Sequence, residues 1–277
     1  MNVLWAIFLG FIQGATEFLP VSSSGHLAIF QNIFDLKLEG GDMFFDVLLH
    51  MGTLIAVFIA FWGEIAGMAR DLVSWIAGLF KKDRRAGPPS VRMILLIVAA
   101  TLPLFLVLPF KDNIEALSTN LTFVACALIV TGMLLFISDR VKKGRKTESN
   151  ARVFDAVCVG LIQAVATAPG LSRSGSTITM GLFRGFDRSF AVRFSFLMSI
   201  PAVLGANILE FGEAVSSPAG PSVGVGACIA GVLTSAVVGF FAIKLINMLV
   251  KKGRFGVFAY YCWISGAGVL AYSLLSH

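Results

Sequence analysis

The 277-residue chain is 57% hydrophobic and only 14% charged, and its mean hydropathy is +0.85. Soluble globular domains carry about 25% charged residues, so this chain has too few charges to cover a water-facing surface. The composition argues against a soluble enzyme, a disordered protein and a nucleic-acid binder, and it predicts an all-α polytopic membrane protein. The net charge of +6 is explained by basic loops rather than by an anionic polymer as partner.

The chain divides into two broken apolar regions and six full crossings. The first broken region, residues 1–35, is interrupted by Pro20 and a serine cluster, and the second, residues 153–189, by Pro169. Three crossings follow each broken region, at 44–62, 91–110 and 121–138 and then at 190–212, 222–250 and 255–275. Because proline ends a helix and irregular backbone cannot face lipid, each broken region predicts a re-entrant helical hairpin enclosed by protein.

Lysine and arginine are unevenly distributed among the connecting segments. Four segments hold three or more basic residues each, namely 63–92, 139–152, 184–193 and 251–254. Three segments hold one or none, namely 36–43, 111–120 and 213–221. The positive-inside rule predicts that the first group is cytoplasmic. The first hairpin then enters the membrane from outside and the second from the cytoplasm, and both termini lie outside.

The two broken regions resemble each other at a spacing of 150 residues. The identical pairs are Gly10 and Gly160, Ile12 and Ile162, Gln13 and Gln163, Ser22 and Ser172, Ser24 and Ser174, and Gly25 and Gly175. The pattern predicts one integral membrane domain, 1–277, built as an inverted-topology repeat of residues 1–138 and 153–277. Such repeats place a polar site where the broken segments meet. Chance similarity between two apolar segments is the alternative.

The first break combines an acid, hydroxyls and a histidine. Gln13 and Glu17 lie four residues apart and project from one helix face. An ionisable residue inside a membrane segment is a functional candidate, and a glutamate that extends to the membrane surface is the alternative. The serines Ser22–Ser24 precede a short helix predicted at 27–34, whose start favours an anion. His26 is suited to proton transfer, although a lone histidine is often structural.

The second break supplies a fixed positive charge. Arg173 lies between Ser172 and Ser174 and about one helical turn before Thr177. Its planar guanidinium can donate two parallel hydrogen bonds to a phosphate or carboxylate, and neutralising Glu17 is the alternative role. Together the two breaks suit a phosphate-bearing amphiphile whose tail stays in the bilayer. The residues leave open whether the phosphate is cleaved, moved or only bound.

Two other features are weaker candidates. Asp46 and His50 lie one turn apart, where they either line the same cavity or satisfy each other. Residues 63–80 carry apolar side chains at helical spacing among charged ones, which predicts an interfacial amphipathic helix.

At its two breaks the sequence resembles the undecaprenyl-diphosphate phosphatase family, also called bacitracin-resistance proteins. The family's (E/Q)xxxE and PVSSxGH motifs match Gln13 to Glu17 and Pro20 to His26, and its PGxSRSxxT motif matches Pro169 to Thr177. The resemblance extends over the whole chain. It implies a membrane enzyme that hydrolyses undecaprenyl diphosphate to undecaprenyl phosphate and inorganic phosphate, which recycles the carrier lipid for peptidoglycan and gives bacitracin resistance.

The resemblance also implies residue roles. The diphosphate-binding residues would be Ser22, Ser24, Ser172, Arg173, Ser174 and Thr177, with Arg173 also catalytic. Glu17 would hold a divalent cation, Mg²⁺ or Ca²⁺, or act as base. Gln13, which stands where many members have Glu, would contact the metal or phosphate without adding charge. Ser23 is favoured as nucleophile with His26 in proton transfer; His26 as nucleophile, or His26 activating water, are the alternatives.

The same resemblance implies a bacterial cytoplasmic (inner) membrane protein whose site opens to the outer, periplasmic face. Its partners would be the polyprenyl diphosphate substrate and membrane lipid, with no nucleic acid. The oligomeric state is open, and a homodimer is one option. Two competing functions are a transporter or flippase for a phosphate-bearing lipid and a phosphate-binding scaffold without turnover.

Overall fold

A computed structural model of the chain describes residues 2–33, 42–80, 88–216 and 223–275. The helices in the first half of these residues are α1 (Val3–Phe18), α2 (Ser23–Ile33), α3 (Asp42–Ala60), α4 (Trp62–Phe80), α5 (Pro89–Thr101), α6 (Lys111–Ala116) and α7 (Leu121–Ser138). Those in the second half are α8 (Val153–Val165), α9 (Arg173–Phe183), α10 (Arg188–Ser216), α11 (Val225–Lys251) and α12 (Val257–Leu275). The expectation of an all-α protein is confirmed over the described ranges.

Five of the described helical segments are long and apolar enough to cross a membrane, namely Pro89–Thr119, Leu121–Ser138, Arg188–Gly212, Val225–Lys251 and Val257–Leu275. A sixth crossing is counted if α3 and α4, which are bent by 75° at their junction, form one span. α1 and α8 are shorter apolar helices. The chain is therefore a multi-pass membrane protein.

The expected crossing at 91–110 differs from the others in its backbone. Its α-helix ends at Thr101, and the chain continues in short 3₁₀ segments, Leu102–Leu106 and Leu108–Phe110. Pro103 and Pro109 have no N–H to donate and their rings clash with the preceding turn, so two prolines in succession favour an end to the α-helix here. The end of the first predicted hairpin, 34–35, lies outside the described residues, as do most of segments 36–43 and 213–221.

The helices of the two halves pack against each other in reciprocal pairs. α1 lies along α11 and α8 lies against α5, while α7 contacts α12 and α3 contacts α10. Two glycines 150 residues apart permit close approaches between these helices. A Cβ on Gly10 would lie 2.5 Å from the carbonyl oxygen of Gly231, and a Cβ on Gly160 would lie 2.2 Å from that of Ala100. Each broken region is thus inserted against a helix of the other half.

A cluster of buried phenylalanines supports the inner ends of the broken regions. Its members include Phe18, Phe186, Phe190, Phe194 and Phe196, each 2% exposed or less. The rings of Phe18 and Phe196 meet edge to face with their centroids 5.4 Å apart. This contact fixes the end of α1, and with it the neighbouring Glu17, against α10.

Candidate active site

Serine caps the helix that follows each break. α2 begins at Ser23 and α9 begins at Arg173, again 150 residues apart. The Ser22 hydroxyl oxygen accepts the N–H of Gly25 at 3.2 Å, and the Ser172 hydroxyl oxygen accepts the N–H of Gly175 at 3.1 Å. The short helix expected at 27–34 therefore begins four residues earlier than predicted, because the cap is the first serine of the cluster rather than a later residue.

The chain reverses direction in each break through a residue with positive φ, Ser22 at 69° and Gly170 at 89°. A side chain at Gly170 would also collide with α7, since a Cβ there would lie 2.6 Å from the carbonyl oxygen of Val124. A Cβ on Gly25 would lie 3.0 Å from the Cα of Gly170. The two breaks therefore touch, and glycine allows the approach.

Glu17 is the centre of a hydrogen-bond network that joins the two breaks. Its Oε1 accepts a hydrogen bond from the Arg173 guanidinium. Its Oε2 accepts from the Ser23 hydroxyl at 2.6 Å and from the Gln13 amide at 3.0 Å. The His50 Nε2 lies 3.9 Å from the same oxygen. Glu17 is only 8% exposed, and a buried carboxylate is stable only when it is paired and hydrogen-bonded in this way.

The remaining hydroxyls of the second break point in different directions. The Ser172 and Ser174 hydroxyl oxygens lie 3.3 Å apart. The Thr177 hydroxyl donates to the carbonyl oxygen of Arg173 at 2.8 Å and lies 2.6 Å from the Ser195 hydroxyl of α10. Ser172 and Arg173 line the cavity described below, whereas Ser174 and Thr177 are absent from its described lining. Thr177 thus holds α9 on α10 behind the site.

Both ring nitrogens of His26 are engaged. Its Nδ1 lies 2.8 Å from the carbonyl oxygen of Ser22 and its Nε2 lies 2.7 Å from the Tyr261 hydroxyl. Because a carbonyl oxygen can only accept, Nδ1 donates to Ser22, and in the neutral ring Nε2 accepts from Tyr261. His26 is 5% exposed, and the described cavity lining includes His50 instead. A proton-transfer role for His26 stays a prediction, and the partner Tyr261 on α12 had no signal in the sequence.

A cavity of about 510 Å³ opens at the meeting point of the two breaks. Its polar lining includes Glu17, Ser22, Ser23, Ser24, Ser172 and Arg173, together with Lys111, Glu115 and Glu210. Its apolar lining includes Leu104, Phe105 and Leu108, which belong to the 3₁₀ segments after α5. A lining that combines a guanidinium and hydroxyls with apolar side chains suits an amphiphile with an anionic headgroup.

Two buried carboxamides that line this cavity were not identified as site residues from the sequence. Gln163 is 1% exposed and Asn207 is 5% exposed. Both side-chain polar atoms of Gln163, and the Nδ2 of Asn207, have no hydrogen-bond partner among the described residues. The only sequence signal for Gln163 was its identity with Gln13 at the spacing of 150.

Gln13 and Glu17, the side chains predicted to contact a divalent cation, lie side by side on α1. The Oε1 of Gln13 is buried without a partner in the described part of the chain, and the amide of the same side chain binds Glu17. No cluster of three or more His, Cys, Asp or Glu side chains occurs among the described residues. One carboxylate and one amide oxygen are donors of the type that Mg²⁺ takes together with substrate phosphates and water. Glu17 lines the cavity, whereas Gln13 is absent from its described lining.

The fold and the site together define a multi-pass helical membrane protein with a buried, hydroxyl-rich site around an arginine–glutamate pair. The chain belongs to the bacitracin resistance protein BacA family, whose family model matches residues 6–268. It is 40% identical to the undecaprenyl-diphosphatase of Alkaliphilus metalliredigens over 282 residues, 99% of this chain and 100% of the relative. It is 38% identical to the enzyme of the same name from Halothermothrix orenii over 271 residues, 98% of each chain.

Proposed function

We propose that this protein hydrolyses undecaprenyl diphosphate to undecaprenyl phosphate and inorganic phosphate, and so recycles the carrier lipid for cell-wall synthesis and gives resistance to bacitracin. The contact between Arg173 and Glu17 across the two breaks carries this proposal, because it places a phosphate-binding cation beside a candidate base and a hydroxyl. The name undecaprenyl-diphosphatase, shared by full-length relatives, supports the identity of the substrate.

The geometry favours Ser23 as nucleophile and Glu17 as its base. The Ser23 hydroxyl already donates to Glu17 Oε2 at 2.6 Å, so the proton has a direct acceptor. The Ser23 oxygen attacks the terminal phosphorus, and the bond to the bridging oxygen breaks to release undecaprenyl phosphate. Water then hydrolyses the phosphoserine and releases inorganic phosphate.

Arg173 changes partner in this scheme. Glu17 loses its negative charge when it takes the Ser23 proton, which weakens its attraction for the guanidinium. Arg173 is then available to the transferring phosphoryl oxygens, where its fork of donors stabilises the charge of the transition state. Ser172 and the start of α9 add hydroxyl and backbone donors beside it.

As the alternative to its role as base, Glu17 would hold the divalent cation together with the Oε1 of Gln13. The cation would neutralise diphosphate charge and polarise the phosphoryl group. The partnerless Oε1 of Gln13 supports this assignment, because a neutral amide oxygen is a good ligand for Mg²⁺ or Ca²⁺ and needs no second carboxylate.

The architecture we propose is an inverted-topology repeat with two re-entrant hairpins and six crossings. The matching helix starts, the matching serine caps and the reciprocal packing of α1 on α11 and α8 on α5 support it. Two structural units of opposite orientation that meet at their breaks would produce these relations.

The site is proposed to open to the outer face of the bacterial inner membrane. The described cavity lining includes Lys111 and Glu115, from the segment 111–120 that holds one basic residue. It includes none of the described residues from the cation-rich segments 139–152, 184–193 and 251–254. The positive-inside rule therefore favours an external opening.

Phosphate release from undecaprenyl diphosphate by the purified protein in detergent with Mg²⁺ tests the proposed function. We expect turnover by the wild-type chain and loss of turnover in Glu17→Gln. Reconstitution into vesicles separates the rival function: lipid that crosses between leaflets without phosphate release would identify a flippase and contradict the proposal.

A further inference from the structure

The carboxamides of Gln163 and Asn207 are buried polar groups that the proposed chemistry leaves unused, and in Gln163 both polar atoms are without a partner among the described residues. Gln163 lines the cavity together with Ser172 and Arg173, and it is 1% exposed. Neither its Nε2 nor its Oε1 has a hydrogen-bond partner among the described residues. Buried amides in folded proteins are nearly always satisfied, so a partnerless amide at a cavity indicates that a ligand completes it.

The first break shows what the equivalent amide binds. Gln13, 150 residues before Gln163, donates from Nε2 to Glu17 Oε2 at 3.0 Å. The residue four positions after Gln163 is Thr167, whose hydroxyl donates to the carbonyl oxygen of Ala164 at 2.7 Å. The second break therefore has the amide but not the carboxylate that the first break sets beside it.

The positive charge of Arg173, at the start of α9, indicates what kind of group would bind the Gln163 amide. In the first break the carboxylate lies between the Gln13 amide and Ser23, the first residue of α2. In the second break Arg173 is the first residue of α9, and its guanidinium, which binds Glu17, lines the same cavity as the Gln163 amide. An oxyanion from outside the chain satisfies both groups.

We propose that Gln163 is a specificity-determining residue whose Nε2 donates to an oxygen of the substrate diphosphate, in the place that Glu17 Oε2 takes in the first break. This inference rests on the proposed function. In this proposal one phosphate of the diphosphate contacts Arg173 and the other contacts Gln163, whereas a monophosphate contacts only one of them. Gln163 thus favours binding of the diphosphate substrate and release of the monophosphate product.

Gln163→Leu tests this contact because leucine is similar in size and has no polar atom. We expect KM for farnesyl diphosphate, used as a soluble probe, to rise about 10- to 100-fold, which corresponds to loss of one hydrogen bond to a charged group. We also expect inorganic diphosphate to lose its stabilising effect on the thermal unfolding of the variant. Without ligand, the variant should unfold at the wild-type temperature or above it, since a partnerless buried amide has been removed.

Two further variants make the test specific. Gln163→Glu removes the donor and adds a negative charge, so its KM should rise more than that of Gln163→Leu. Thr179→Val is the matched control: the Thr179 hydroxyl is likewise buried without a partner in the described part of the chain, but it does not line the cavity. Its KM and its response to diphosphate should equal those of the wild type.

Each result distinguishes the inference from the proposed function. Wild-type KM and wild-type diphosphate stabilisation in Gln163→Leu overturn the inference and leave the function intact. Increased activity of Gln163→Glu at low Mg²⁺ also overturns it, since the side chain would then be a metal ligand. A wild-type chain that is stabilised by diphosphate through Gln163 but releases no phosphate supports the subsite and refutes the function. A wild-type chain that diphosphate does not stabilise refutes the subsite.

Discussion

The two helix breaks share a backbone design and differ in chemistry. Each ends an apolar helix, reverses through a residue with positive φ and restarts at a serine-capped helix. The first break carries the acid Glu17 with its amide neighbour bound to it, whereas the second carries Arg173 and a partnerless amide. In the proposed mechanism the first break thus supplies the base and the nucleophile, and the second supplies the anion-binding groups.

The largest expected effect comes from removing the positive charge of the second break. Arg173→Ala should lower kcat/KM for undecaprenyl diphosphate by about 10³-fold or more, the scale on which arginine stabilises phosphoryl transfer. Arg173→Lys should still lose about 10²-fold, because a point charge cannot replace a planar fork of donors. Phosphate release measures both, and thermal unfolding in detergent checks that the variants fold. Near wild-type activity of Arg173→Lys would contradict bidentate binding.

Removing the negative charge of Glu17, in the first break, should have the next largest effect on activity. Glu17→Gln keeps the size of the side chain but cannot accept the Ser23 proton, so kcat should fall about 10²- to 10³-fold. Glu148→Gln is the matched control, since Glu148 pairs with Arg193 at 2.6 Å outside the described cavity lining. Its kcat should stay at the wild-type value.

The double variant Glu17→Gln, Arg173→Lys tests whether the side chains of the two breaks act together. If the two side chains act as one unit, the double variant should lose little more activity than the more damaged single variant. Strictly additive losses of activation free energy would show that the acid and the cation act independently.

The fourth prediction concerns the backbone of the second break. Gly170→Ala should destabilise the protein by about 2–4 kcal/mol, since alanine is strained at φ 89° and its Cβ would lie 2.6 Å from the Val124 carbonyl oxygen. Gly185→Ala is the control: its φ is 82°, but the nearest atom to an added Cβ is 3.9 Å away. It should cost about 1–2 kcal/mol. Equal unfolding temperatures for the two variants would exclude the collision with α7.

Much of this fold could be predicted because membrane spans depend on local composition. Leu121–Ser138 coincides with its predicted crossing, and α10, α11 and α12 follow theirs within a few residues at the described ends. The crossing at 91–110 was predicted without its change to 3₁₀ segments after Thr101, because hydropathy indicates burial in lipid and not the type of helix. Pro103 and Pro109 were the sequence signal for that change.

The site could be predicted only as far as local motifs extend. Glu17, Ser23 and Arg173 stood out because charge and hydroxyl clusters are rare in apolar segments. Tyr261 and Asn207 could not be found this way, since their relation to the site depends on how α12 and α10 pack. The partnerless state of Gln163 likewise depends on its neighbours in space, which a pattern of sequence identity does not report.

The smallest predicted effect concerns the capping serines Ser22 and Ser172. Replacing each by glycine should change the stability of the protein differently at the two positions. Ser172 has φ −75°, so Ser172→Gly loses its cap hydrogen bond and gains unfolded-state freedom, at a cost of about 1 kcal/mol. Ser22 has φ 69°, a conformation that destabilises any residue with a side chain by about 1–2 kcal/mol but does not strain glycine. Ser22→Gly should therefore leave stability unchanged or raise it. Thermal unfolding in detergent compares the two variants. Equal destabilisation would contradict the prediction, because it would mean that the positive φ of Ser22 does not strain the protein.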